Sequence, residues 1–199
     1  MGDPRQPALL RLAEVVRALT NHVAHSDPPE EAIARATRAA EEAIAALSPH
    51  AERRALPLYG GDAWKDDPNS FLPYSPVMGL YNPIAPPLRV TIEGGVVHAH
   101  ARFGAAHEGP PRSVHGASVA AAFDQVLALV NVANGKFAMT GTLTVRYRKP
   151  TPLYTELRFE AHTGRVEGRK VYATSTLHAG DVLCAEAEGV FIGLQPGAF

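Results

Sequence analysis

The sequence predicts an α+β domain in which an antiparallel sheet wraps around one long buried helix, with a pair of helices ahead of it. Three observations carry this expectation. Residues 119–133 are apolar except for Asp124, Gln125 and Asn131, a run long enough for a core helix. Residues 137–149 alternate, with Phe137, Met139, Leu143, Val145 and Tyr147 at one parity and Thr140, Thr142, Thr144, Arg146 and Arg148 at the other. Three more strand-length segments follow, at about 155–166, 169–179 and 182–194, separated by turns at Glu167-Gly168 and Gly180-Asp181.

In chain order, Leu9, Leu12, Val15, Val16 and Leu19 recur at helical spacing. After Ser26-Asp27-Pro28-Pro29 a second, Ala-rich helix is expected over about 30–47, making residues 1–50 an N-terminal helical hairpin closed by Ser48-Pro49. Residues 51–87 are rich in Pro, Gly, Asp and Asn and read as a long irregular connection. Residues 88–199 then form the main domain. It opens with strands at 88–93 and 96–103, joined at Gly94-Gly95. Ser113 or His115 starts the buried helix over about 116–134, and Asn134-Gly135 ends it with residues that tolerate the left-handed region. Along 137–149 the alternation predicts a strand covered on one side only.

Composition narrows the partners. With 199 residues, 46% of them apolar, and a formal net charge of −1, the chain can bury a full core and has no long basic run. Nucleic-acid binding and polybasic membrane contact are therefore not expected, and no segment is expected to span a membrane. Cys184 is the single cysteine, which excludes an intramolecular disulfide and suits a reducing, cytoplasmic setting. Residues 1–6 carry no signal-peptide apolar core.

Asp124 is the candidate for chemistry. An ionised carboxylate in so apolar a helix costs several kcal/mol unless it is hydrogen-bonded or chemically employed. A structural Asp holding a buried network is the alternative. His98 and His100 share one strand face, but no further ligands are spaced to join them in a metal site. Asp62, Asp66 and Asp67 around Trp64 lack the spacing of a calcium loop. Ser118 does not sit in a nucleophile elbow, and no base is placed for Cys184. No metal or other cofactor is implied.

The ordered series His115-Gly116-Ala117, Asp124, Met139-Thr140, Arg146-Tyr147-Arg148-Lys149-Pro150 and Glu167-Gly168-Arg169-Lys170, with Asn82-Pro83-Ile84-Ala85-Pro86-Pro87 upstream, resembles the hotdog-fold acyl-CoA thioesterases of the PaaI and THEM type. The resemblance covers about residues 82–194. It implies a hotdog fold and hydrolysis of acyl-CoA to free acid and CoA. In that reading Asp124 is nucleophile or general base, the Gly116 N–H polarises the thioester carbonyl, and Thr140 orients the water or the aspartate. A helix N-terminus suits the Gly116 role, because its N–H groups are unpaired and carry partial positive charge. Two departures stand out. Ala117 replaces a second glycine and narrows the acyl site, and Gly109 stands where some members carry a carbonyl-polarising Asn, leaving His107 or the His115 side chain as the substitute.

Eight residues of helix separate Gly116 from Asp124, about 12 Å along the axis, whereas both must act within about 3–3.5 Å of one reacting centre. A shared active site across a homodimer is the consequence, with two equivalent sites per pair. The resemblance also implies a dimer with a continuous sheet, which can pair again as a tetramer. Arg146, Arg148, Lys149, Arg169 and Lys170 are the candidate cluster for the CoA phosphates. Two rivals remain open: a non-catalytic acyl-CoA-binding or regulatory hotdog protein, and a hotdog enoyl-CoA hydratase or dehydratase using Asp124 and His115.

Overall fold

The computed structural model describes residues 4–50, 67–70, 72–86 and 88–194. Helix α1 spans Gln6–His25 and α2 spans Glu30–Leu47. Strands β1 (Arg89–Glu93) and β2 (Val96–Ala101) follow, then helix α3 (Gly116–Ala133), then β3 (Ala138–Tyr147), β4 (Leu157–Glu167), β5 (Lys170–Ala179) and β6 (Val182–Gly193). All six strands form one antiparallel sheet in the order β1-β2-β4-β5-β6-β3. The β1–β2 hairpin turns through Gly94 and Gly95 with φ of 56° and 81°, the paired positive angles of a two-residue turn that matches strand twist.

Helix α3 is the core. Val119, Ala122, Phe123, Val126, Leu127 and Val130 are buried in it, and the Phe123 ring meets Phe159 of β4 edge-on at 5.3 Å. The helix lies so close to the sheet that a Cβ on Gly189 of β6 would come within 2.4 Å of the Phe191 ring and 3.3 Å of Leu127 Cδ1. Among the described helices α3 alone is long and apolar enough to cross a membrane by length and composition, and it is the core helix that the sheet wraps.

Helix α1 is tied to the domain by polar groups. Arg17 donates from Nε to Ala85 O at 2.8 Å and from Nη2 to Asn82 O at 3.0 Å and Leu80 O at 3.4 Å. Asn21 Oδ1 accepts from Ala106 N–H in a short 3-10 turn, Ala105–His107. Helix α2, in contrast, buries none of its residues. The described part of the irregular connection has no strand; it folds back on the core, burying Met78 and Ala85. Asp62, Trp64 and Asp66 lie outside the described residues.

The simple two-residue period expected for β3 is broken. Thr140 pairs with Phe191 and Thr142 with Val190, so Gly141 is an extra residue, a β-bulge. Leu143, Val145 and Tyr147 pair with Gly189, Ala187 and Ala185, all buried on the helix side. The bulge moves Thr140 onto that same side, opposite to the face that unbroken alternation assigns it. β3 is also an edge strand, and Phe137, Met139 and Tyr147 are 43, 54 and 53% exposed.

Candidate active site

The start of α3 presents a free donor. His115 is the N-cap, in extended conformation (φ −60°, ψ 135°), and its Nδ1 accepts the Ala117 N–H at 3.0 Å. Ser118 and Val119 N–H both reach His115 O. Gly116 N–H has no acceptor among the described residues, so of this first turn it alone is left to bind something else. The Gly116 carbonyl accepts the Tyr147 hydroxyl at 2.7 Å, which fastens the helix tip to the end of β3. Burial raises the Tyr147 pKa, keeping it a neutral donor.

Two turns along the helix, Thr140 Oγ1 donates to Asp124 Oδ1 at 2.8 Å. Asp124 is half-buried, less enclosed than so apolar a helix suggests, because it lines a groove between α3 and the start of β3. The groove encloses about 330 Å³. Gln125, beside Asp124, also lines it, and its Oε1 accepts from Ser75 Oγ of the folded-back connection at 3.1 Å. One end of the groove thus carries a carboxylate, a hydroxyl and an amide, and the remaining lining among the described residues is apolar.

The other site residues named from the sequence are distributed differently. His115 is spent on capping through Nδ1. His107 is turned away: its Nε2 lies 3.2 Å from Ile84 O, and its buried Nδ1 has no partner. Desolvation, partly offset by the Ile84 carbonyl, lowers its pKa and favours the neutral ring. Ala117 sits on the first turn of α3 next to the free N–H. The five cations do not form one cluster. Arg146 and Arg148 pair with Glu188 and Glu186 near the far end of β3, and Lys149 follows them. Arg169 donates to Gly193 O and Lys170 pairs with Ile192, beside the start of β3. Nine strand residues, roughly 30 Å, separate those two ends in one chain, because the antiparallel meander carries the β4–β5 turn to the end of the sheet opposite Arg148.

Sequence reading missed Tyr147 as the clasp on Gly116, Gln125 with Ser75 as part of the polar end, and the bulge at Gly141. The only trace of the bulge in the sequence is a glycine inside an otherwise regular strand, a pattern that does suggest one.

A six-stranded antiparallel sheet closed on one long helix, with a carboxylate on that helix and a free N–H at its tip, is a hotdog fold. The comparisons agree. A thioesterase superfamily protein of known structure superposes with a TM-score of 0.81 at 28% identity, covering 92% of this chain and 90% of its own. The mouse acyl-coenzyme A thioesterase THEM4 (Mus musculus) is 33% identical over 91 residues, 45% of this chain; the match spans only 39% of that protein's length. A Streptococcus mutans protein solved bound to acetyl CoA shares the fold, with a TM-score of 0.51 at 17% identity over 54% of this chain and 88% of its own. No protein-family model matches the chain. In sequence and in fold the chain resembles the hotdog acyl-CoA thioesterases.

Proposed function

We propose that the chain hydrolyses acyl-CoA thioesters to free acid and CoA. The observation that carries this reading is the Thr140–Asp124 hydrogen bond at the mouth of an apolar groove. The hydroxyl donates to one carboxylate oxygen and fixes its orientation, leaving the other oxygen to take a proton from water or to attack the thioester carbon itself. As the tetrahedral intermediate forms, its oxyanion needs a donor, and Gly116 N–H is an unsatisfied one at the positive end of a helix dipole. Collapse of that intermediate expels the CoA thiolate, which takes up a proton; where the carboxylate itself has attacked, water then hydrolyses the acyl–aspartyl anhydride, releasing the free acid and restoring Asp124. The Thr140–Asp124 pair also favours hydrolysis over simple acyl-CoA binding or hydration, since His115, the base a hydratase would need, is engaged as a cap.

Gly116 and Asp124 lie about 12 Å apart along one helix axis, so the reading requires the tip of a second copy's helix at Asp124. The exposed edge strand β3, with Phe137, Met139 and Tyr147 uncovered, supports pairing of two chains there. Such pairing is also the arrangement that could gather cations from both ends of the sheet for the CoA phosphates.

The test is thiol release from acyl-CoA by purified protein and by Asp124→Asn. The variant is expected to lose about 10²–10⁴-fold in kcat while keeping its oligomeric state. Near-normal turnover in a folded variant refutes the mechanism.

A further inference from the structure

Beyond Asp124 the groove is a hydrocarbon channel with a readable length. Asp124, Ala128 and Val132 are four residues apart on one stripe of α3, and all three line the groove. Past the polar end, formed by Asp124, Gln125 and Thr140, no side chain lining the groove among the described residues carries a polar group: α3 contributes Ala128, Leu129 and Val132, β3 and its approach contribute Phe137, Ala138 and Met139, and apolar residues of other segments complete the wall. From Asp124 to Val132 the helix rises about 12 Å. An extended zigzag chain advances about 1.2 Å per bond, as a polypeptide of three bonds per 3.3–3.6 Å residue does, so this span holds about ten bonds.

We infer that the substrate is an unsubstituted medium-chain aliphatic acyl thioester whose chain lies along α3 from Asp124 toward Val132, with Ala128 setting whether the chain can pass. The inference rests on the thioesterase reading and adds the substrate class to it. Ala128 is the lining residue one turn beyond the carboxylate, and its side chain is a single methyl. A large side chain at that position stops an acyl group after about 6 Å, or about five bonds. A charged or hydroxylated chain end in this channel would lose its water and find no side-chain partner, so acyl groups of that kind are rejected.

The test compares kcat/KM on butanoyl-, octanoyl- and the eight-carbon ω-carboxyacyl-CoA for the native protein and for Ala128→Leu. The native protein is expected to prefer octanoyl-CoA to its ω-carboxyl analogue by at least a hundredfold, and Ala128→Leu to lower the octanoyl-to-butanoyl ratio at least tenfold. Equal rates on the two eight-carbon esters, or an unchanged ratio in the variant, overturn the inference. Calorimetric binding in the Asp124→Asn background separates it from the hydrolytic reading. There the octanoyl-over-butanoyl affinity ratio should also fall when Ala128→Leu is added. Absent turnover with that affinity step intact overturns hydrolysis alone and supports the channel, whereas an affinity ratio unmoved by Ala128→Leu overturns the channel.

Discussion

Thr140 reaches Asp124 at 2.8 Å because β3 carries one residue more than its partner strand between Thr140 and Thr142. An unbroken strand would put Thr140 on the outer face of the sheet with Thr142 and Thr144. The extra residue at Gly141 turns the strand's first part over and aims the hydroxyl at the helix. A backbone irregularity at the sheet edge thereby assembles the two polar groups of the site.

Thr140→Ala tests the hydroxyl directly, and its loss of kcat is expected to be about ten- to a hundredfold for one hydrogen bond to a charged group. Deleting Gly141, in contrast, leaves Thr140 next to Thr142 and still opposite Phe191, on the helix side of the sheet, so this variant should lose less than Thr140→Ala. Steady-state kinetics of the two proteins decide it, and a deletion as damaging as Thr140→Ala would show that the bulge also sets the reach of the hydroxyl.

Gly116→Pro tests the free N–H with little disturbance of the helix. Position 116 is the first helical residue, where Pro is tolerated, and His115 already has the extended backbone that a following Pro requires. Gly116→Ala is the control, since it adds a Cβ 3.3 Å from the Tyr147 hydroxyl but keeps the N–H. The Pro variant should fall about 10²–10³-fold below the Ala variant in kcat.

Mixing Gly116→Pro with Asp124→Asn protein should recover activity that neither has alone. A mixed pair holds one site with an intact N–H from one chain and an intact carboxylate from the other. With random pairing, half of the dimers are mixed and each has one working site of two, so about a quarter of native activity is expected. No recovery after verified subunit exchange would mean that each site is built within one chain.

Arg17→Leu should undock α1. The guanidinium satisfies three loop carbonyls from a partly buried position, and the apolar replacement leaves them without a donor. A loss of roughly 2–3 kcal/mol is expected, seen as a Tm lower by about 5–10 °C and faster amide exchange across residues 6–25.

Acid should loosen the contact around His107. Its folded pKa is depressed, chiefly by burial, so the unfolded chain takes the proton first as pH falls. Stability from the neutral ring is full above the ordinary His value near 6.5 and is lost as pH drops through the lower folded value. His107→Gln, which keeps a donor for Ile84 O but cannot titrate in this range, should show a smaller fall in Tm between pH 7.5 and 5.5 than the native protein.

Most of the architecture was legible in the residue order. Helix α3 and the four later strands announce themselves through apolar periodicity and through glycines at turns, because those signals are local and the core enforces them. The Asp124 candidate was legible for the same reason, as a charge out of place in an oily run. The membership of the site was not. Alternation alone puts Thr140 on the outer face, since a bulge exists only in the pairing of two strands. The cations look like one group along the chain, yet the meander separates them by the length of the sheet. The free N–H of Gly116 emerges only when every other donor of that turn is seen to be taken, and the clasp from Tyr147 joins residues 31 positions apart. Local patterning decides which segments become helix or strand. Which side chains then meet is decided by register and packing, which depend on partners distant in the chain.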